Sequence, residues 1–122
     1  MKYHTIELNG QEINFRLTSE DCCQLEEKTK VKLLDYIQDY SMITVINLLW
    51  YMRRGVEKSY TKNDTYKFFD ELTDNEWSLE DIMMKIVYPC CQVSGLLTKS
   101  DLEKIQDKIT NRNEEAIQQE NQ

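Results

Sequence analysis

Apolar and polar residues alternate over the first part of the chain, in the stretch TIELNGQEINFRLT that starts at Thr5. This period of two predicts two β-strands, and the Asn9-Gly10 pair between them favours a two-residue hairpin turn. Around that turn Glu7 lies opposite Glu12, which is unfavourable because like charges face each other. We still expect this register, because it gathers a set of apolar side chains on one face: Ile6, Leu8, Ile13, Phe15 and Leu17.

Beyond Thr18 the apolar residues recur at steps of three and four, which predicts a series of helices. We expect helices near residues 20–28, 31–40, 41–56, 61–72 and 78–95, and a weaker one from residue 100. Four of the predicted starts carry a capping box, in which a hydroxyl side chain is followed three residues later by an acid. The pairs are Thr18 with Asp21, Thr61 with Asp64, Ser78 with Asp81, and Ser100 with Glu103.

The spacing within these helices predicts which side chains are buried. The second helix is expected to bury Leu33, Leu34 and Ile37. The fourth is expected to place on one side Tyr66, Phe69 and Leu72. The helix over residues 41–56 is apolar almost all round, so it is either the buried centre of the domain or has a second face for a partner.

The strongest helical stripe is interrupted by a proline. Pro89 cannot donate a hydrogen bond and its ring clashes with the carbonyl of Lys85, so we expect a kink or a restart there. Gly95 is expected to end the helix. The stripe consists of Leu79, Ile82, Met83, Ile86, Val87, Cys90 and Val93.

Together these patterns predict an α+β protein that is predominantly α-helical, with an N-terminal β-hairpin followed by about five to six helices. Three glycines and one proline in 122 residues are few, which favours helices over a sheet with many turns. Residues 1–98 are expected to form a single helical domain that includes the hairpin. Residues 99–122 hold too few apolar side chains to offset the entropy of ordering, which predicts a polar helical or disordered C-terminal tail.

The formal net charge of −7 argues against several classes of partner. A negative chain repels phosphate backbones, and Arg53 and Arg54 form the only adjacent arginine pair, so no nucleic-acid partner is expected. The longest apolar-leaning stretch, residues 42–52, is too short to cross a bilayer. No apolar run follows Met1, so no signal peptide is expected. We therefore expect a protein in the cytoplasm with no membrane partner.

No pattern in the sequence indicates catalysis, a cofactor or a metal site. The four cysteines form adjacent pairs at 22–23 and 90–91, and adjacent residues on a helix diverge by about 100°, which does not suit zinc ligands. His4, the single histidine, lies beside Phe15 on the apolar face of the hairpin, where packing is the simpler role. No P-loop, dinucleotide fingerprint or H-E-x-x-H motif occurs. We expect a protein that is not an enzyme, with a thiol-dependent enzyme as the alternative.

Aromatic and methionine side chains are the candidates for contact with a partner, because these residues are enriched at interfaces. The same residue types also build cores, so each candidate has a core alternative. Met84 and Tyr88 lie one turn apart and off the main stripe of their helix, where a small exposed patch is the alternative to the core. The partner-binding candidates are Trp50, Tyr51, Phe68, Trp77, Met84 and Tyr88.

Three stretches between residues 2 and 98 carry a family resemblance: KYHTIELNGQEINFRLTSEDCCQLEEK, TKNDTYKFFDEL and WSLEDIMMKIVYPCCQVSGLL. The serine-led acidic start and the terminal QVSGLL of the last stretch are the most family-like residues. In type and order of residues the chain resembles the tail assembly chaperones of long-tailed bacteriophages and prophages, in particular the short form from Gram-positive hosts. It departs from the family pattern at Pro89 and at the cysteine pair 90–91, where helix formers are more usual.

The resemblance implies a protein that coats the long, helical, aggregation-prone tape measure protein before a tail exists. Such a protein helps to recruit tail tube protein, leaves before the virion is finished, and works in the cytoplasm of the bacterial host. In relatives, a programmed frameshift can append a tube-recruiting extension. The free edges of the predicted hairpin add the expectation of a homo-oligomer. Two other functions stay open: an acidic inhibitor that mimics DNA and a generic helical adaptor.

Overall fold

A computed structural model describes residues 2–120 of the protein, with side chains described for residues 2–112 and 114. The N-terminal hairpin consists of β1 (His4–Leu8) and β2 (Gln11–Phe15). The helices that follow are α1 (Ser19–Thr29), α2 (Leu33–Tyr36), α3 (Met42–Arg54), α4 (Lys62–Asp74), α5 (Leu79–Ile82), a π-helical segment (Met83–Val87), α6 (Tyr88–Val93) and α7 (Lys99–Glu120). Because α5, the π-helical segment and α6 follow one another without a break, the described chain is a hairpin followed by six helical stretches, and the predicted α+β, predominantly helical class is confirmed.

The hairpin pairs in the predicted register, with Ile6 opposite Ile13. Asn9 and Gly10 have φ angles of 52° and 79°, the left-handed values that a type I′ turn requires. The apolar face of the hairpin lies on the helices, as an isolated two-stranded sheet would need for stability. Leu8 and Phe15 on this face are buried, and so is Leu17 in the segment that follows β2.

The short helix α2 buries only part of the set expected from the sequence. Leu33 and Ile37 are four residues apart, lie on one face and are buried. Leu34 is turned by about 100° from Leu33 and is 46% exposed. The prediction that Leu34 is buried is therefore wrong, because one helical turn can present only one face to the core.

The helix α3 is the centre of the core. Its Leu48, Leu49 and Met52 are fully buried, and it contacts α1, α4, α5 and β2. The side of its first turn that faces away from the core is not covered, since Met42 is 47% and Ile43 is 73% exposed. This helix therefore has a core face and a second, exposed apolar face.

The helix α4 begins at the predicted capping box of Thr61 and Asp64. Phe69 lies in the core as expected, but Tyr66 is 50% exposed, so its predicted burial is wrong. Phe68 is also buried, which centres the core face between residues 68 and 69. Tyr66 is therefore about 100° away from the centre of that face, at its edge.

The helix restarts around Pro89, as predicted. The π-helical segment precedes the proline, and α6 begins at Tyr88, which places Pro89 in a first-turn position. A π-helical turn closes from residue i to i+5 and so takes in one extra residue, which rotates everything that follows it. Tyr88 and Cys91 are brought into the core by this rotation and are fully buried, although neither belongs to the predicted stripe.

The last helix, α7, begins earlier than the sequence analysis placed it. The backbone N–H of Asp101 donates to the Thr98 hydroxyl, and the N–H of Thr98 donates to the Asp101 carboxylate. The predicted cap at Ser100 is therefore wrong, since the same pattern of hydroxyl and acid occurs two residues earlier. Ile105 and Ile109 are buried against the core. The helix extends to Glu120, and residues 121–122 of the predicted tail lie outside the described residues.

Candidate partner-binding groove

The six side chains put forward from the sequence do not lie together on one surface. Three are buried in the core: Tyr51, Phe68 and Tyr88. Three are partly buried and reach the surface: Trp50, Trp77 and Met84. For Met84 and Tyr88 the sequence left an exposed patch and the core as alternatives. Tyr88 takes the core, where its hydroxyl donates to the Ile37 carbonyl at 2.9 Å, and Met84 is partly buried. Burial raises the pKa of Tyr88, so this hydroxyl stays protonated and keeps its role as a donor.

The largest exposed apolar side chains of α3 and α4 border a groove between these two helices. We call it the α3–α4 groove. Its volume is about 280 Å³. The residues that line it are Met42, Ile43, Ile46, Asn47, Lys62, Tyr66, Phe69 and Asp70.

The groove has a buried floor and an exposed rim. Ile46 and Phe69 are both buried and form the floor. Ile43 and Tyr66 lie at the rim, where they are 73% and 50% exposed. Asn47 is held in place by a hydrogen bond of 3.1 Å from its side-chain amide to the Tyr36 hydroxyl. An apolar side chain that entered the groove would be desolvated by both helices.

The sequence analysis did not select Met42, Ile43 or Tyr66 as binding residues. The signal was present in α3, which is apolar almost all round, because only one face of such a helix can be covered by the domain core. Nothing in the local pattern showed which of its apolar residues would stay exposed. That depends on where α4 packs, which is set by the tertiary structure.

At one end of the groove, the indole ring of Trp50 is surrounded by positive charges. The Arg54 guanidinium lies 4.8 Å from the ring centroid, the Lys62 ammonium 5.2 Å and the Lys28 ammonium 5.8 Å. The indole N–H donates to the Tyr60 carbonyl at 3.1 Å, which fixes the ring. We call this cluster of Trp50, Lys28, Arg54 and Lys62 the Trp50 platform.

The other end of the groove is acidic. Trp50, near the end of α3, donates to Tyr60, two residues before the start of α4, so the end of α3 lies by the start of α4 and the two helices run in opposite directions. Lys62 at the start of α4 therefore lies by the Trp50 platform, and Asp70 lies towards the first turn of α3. The groove is thus apolar along its length, positive at one end and negative at the other.

Comparison with known proteins does not add a relative. No family model, no curated protein and no solved structure matches the chain. The chemistry of the groove is therefore the structural basis for a proposed function.

The larger cleft on the opposite side of α4 is polar, with a volume of about 470 Å³. Arg53 is engaged within it: its guanidinium lies 3.6 Å from the Glu57 carboxylate and stacks over the Tyr60 ring at 5.0 Å. Arg53 also donates to the Asn14 carbonyl of β2. Burial raises the pKa of Tyr60. These contacts join β2, α3 and the start of α4, and they explain the cleft as a structural junction.

Cys90 and Cys91 are buried thiols, and His4 is engaged by the backbone. Burial raises the pKa of Cys90 to about 12 and also raises that of Cys91, so both thiols are protonated at neutral pH and are poor nucleophiles. The Nε2 atom of His4 is engaged by the backbone carbonyl of Lys85. Among the described residues, no group of three or more His, Cys, Asp or Glu side chains is placed to hold a metal ion. Nor does the described part of the chain contain a helix with the length and apolar character needed to cross a membrane.

Proposed function

We propose that this protein is a phage tail assembly chaperone that binds apolar helix surface of a tape measure protein in the α3–α4 groove. The observation that carries the proposal is the 73% exposure of Ile43 at the rim of a groove whose floor is apolar. The family resemblance of residues 2–98 supplies the identity of the partner. Binding in the groove needs no covalent step and no energy source.

The shape of the groove fits a helix as its occupant. Two helices that run in opposite directions form its walls, and a third helix can lay its apolar face between them, with anchors at i, i+3, i+4 and i+7. Burial of a side chain such as Ile43 contributes about 1.5–3 kcal/mol. Met42 at the rim is flexible and polarisable, which suits contact with helices of varied sequence. Such contacts are individually weak and reversible, as a protein that must leave before the virion is finished requires.

The charge of the molecule supports the same role. A net charge of −7 keeps the protein and any complex that it coats soluble. Many copies would bind along one tape measure protein in the host cytoplasm and would recruit tail tube protein to it. Contacts between neighbouring copies would then act together with the groove.

The test is binding to fragments of a phage tape measure protein from the same genome, measured by isothermal titration calorimetry. Ile43→Lys is expected to weaken binding at least tenfold, since it places a charge where an apolar side chain docks, and about 1.4 kcal/mol corresponds to a factor of ten. The matched control is Leu34→Lys on α2, which exchanges a similarly exposed aliphatic residue outside the groove. The control should bind as the wild type does. The proposal fails if no fragment binds the wild type, or if Ile43→Lys binds as tightly as Leu34→Lys.

A further inference from the structure

We infer that the Trp50 platform binds a carboxylate side chain of the partner helix and thereby fixes the direction of that helix in the α3–α4 groove. The inference rests on the proposed function only in its use of the groove as the place where a helix docks. The ligand class is an Asp or Glu side chain next to apolar residues on one helix.

The positive charges of the platform form no ion pair with an acid among the described side chains. Within the residues whose side chains are described, no acid forms an ion pair with Lys28, Arg54 or Lys62. Most other basic residues with described side chains also lack an ion pair, since only three such pairs occur there. The platform differs from them because three unpaired positive charges meet around one indole ring.

Without a bound anion, the positive charges of the platform repel one another. Burial lowers the pKa of Lys62, and the positive charge of Lys28 lowers it further. Contact with the Trp50 ring offsets part of the repulsion, because the face of an indole ring attracts cations. A carboxylate between the ammonium groups would remove the remaining repulsion, so the site gains stability when an anion binds.

Three separate helices supply the positive charges of the platform. Lys28 comes from the end of α1, Arg54 from the end of α3 and Lys62 from the start of α4. Arg54 also borders a second cleft with Glu20 and Asp21. Lys62 lines the groove as well, so the platform and the groove form one continuous surface.

The distance between the rim residue Ile43 and the platform also bears on how a helix docks in the groove. Ile43 and Trp50 are seven residues apart on α3, which corresponds to about 10 Å along the helix axis. Ile46 is four residues from Trp50, so a partner helix whose last apolar residue lies over Ile46 presents a residue about one turn further on to the platform. Asp70 at the other end repels an acid and attracts a base. The two ends thus favour one direction of the bound helix over the reverse.

A polyanion is a poorer occupant than a single carboxylate. Nucleic acid would bring many phosphates against a molecule of net charge −7, whereas the platform offers one localised positive site beside an apolar groove. Inorganic phosphate is the probe that distinguishes a carboxylate site from a site that binds any anion.

The experiment uses two synthetic amphipathic peptides of about 18 residues, a length that supports a helix once docked. Both carry apolar residues at i, i+3, i+4 and i+7, and they differ only in a Glu or a Gln one turn beyond. Affinity is measured by anisotropy of a labelled peptide, and occupancy of the site by the NMR resonance of the Trp50 indole N–H. The wild type is expected to bind the Glu peptide about 3- to 10-fold more tightly, as for a partly desolvated ion pair.

That preference, taken as the ratio of the two peptide affinities within each variant, is expected to disappear in Lys62→Gln and in Lys28→Gln. The matched control is Lys67→Gln, which makes the same charge change on α4 but lies beside the polar cleft. It should keep the preference for the Glu peptide. Raising the salt concentration should reduce the preference in the wild type and in this control alike.

Several results would overturn the inference: equal affinity for the two peptides, no binding of either, or a preference that persists in both platform variants. An indole response to inorganic phosphate as strong as that to the Glu peptide would also overturn it, because the site would then be a general anion site. Failure of the proposed function gives a different result. In that case the Glu preference is found while tape measure fragments do not bind.

Discussion

The Nε2 atom of His4 lies 2.6 Å from the backbone carbonyl oxygen of Lys85, 81 residues away in sequence. In a regular α-helix that carbonyl would accept the N–H of the residue four positions later, which is Pro89 and has none. The His4 ring donates to this oxygen instead, so β1 provides a hydrogen bond that the proline cannot make. The contact explains how the hairpin and the π-helical segment hold each other in place.

Replacing His4 tests this contact. His4→Ala is expected to lower the free energy of unfolding by about 1 kcal/mol, the usual net value of one hydrogen bond. His4→Gln, whose amide can reach the same carbonyl, should recover part of the loss. Urea unfolding followed by circular dichroism measures both. An alanine variant as stable as the wild type would show that the bond contributes nothing.

The Tyr88 hydroxyl provides a second, fully buried bond, to the Ile37 carbonyl. Tyr88→Phe leaves that carbonyl without a donor in the core, so we expect a loss of about 1–3 kcal/mol in the free energy of unfolding. Tyr66→Phe is the matched control, because Tyr66 is half exposed and its hydroxyl has access to water. Equal unfolding midpoints for the two variants would contradict this role of Tyr88.

Gly55 is required by a close approach between two parts of the backbone. A Cβ atom at this position would lie 1.9 Å from the Arg16 carbonyl oxygen, and the Arg16 N–H donates to the Met52 carbonyl at 3.0 Å. Gly55→Ala is expected to cost about 3 kcal/mol or more, because the clash forces the strand exit away from the end of α3. Gly95→Ala is the comparison, since it meets no atom within 4 Å and suffers only from its left-handed φ of 81°. Thermal unfolding should rank Gly55→Ala as the less stable variant, and the opposite order would refute the close approach.

The capping acids predict how stability depends on pH. Hydrogen bonds from the Thr61, Ser78 and Thr98 caps lower the pKa values of Asp64, Asp81 and Asp101 below 3.8. A lowered pKa in the folded state means that the contribution to stability is present above the unfolded pKa and is lost as the pH falls through the folded one. Stability should therefore be steady above about pH 5 and should fall below about pH 4.

Removal of the three acids provides the corresponding measurement. The Asp64→Ala, Asp81→Ala and Asp101→Ala triple variant should be less stable than the wild type at neutral pH, and the difference should shrink as the pH approaches 2. Asp70→Ala, which removes an exposed acid that caps no helix, serves as the control for charge. A difference that stays constant from neutral to acidic pH would contradict the assignment.

Local rules predicted the elements whose causes lie within a few residues. The hairpin register follows from Asn9-Gly10 and from the alternation around it, and the starts of α4 and α5 follow from their capping boxes. The end of α6 is also local, since Gly95 adopts a left-handed φ and the Leu96 N–H donates to the Cys91 carbonyl. In each case the chemistry that sets the structure can be read from adjacent positions.

Apart from the cap at Ser100, which a local pattern two residues earlier replaces, the errors arose where packing decides the outcome. Tyr88 and Cys91 are buried because the π-helical segment rotates the helix, and a stripe counted at regular helical steps cannot register an extra residue. Tyr66 is exposed because the core face of α4 is centred elsewhere. The Trp50 platform was missed for the same reason, since its charges come from three helices whose meeting no sequence spacing encodes.

The π-helical segment has a consequence for how this sequence can change over evolutionary time. Deleting one residue between 83 and 87 would produce a more regular helix, yet it would turn every later side chain by about 100° and expose the phenol of Tyr88. A deletion of one residue here is therefore expected to destabilise the fold. The irregular stretch is therefore a part of the chain in which a change of length is expected to cost more than a substitution.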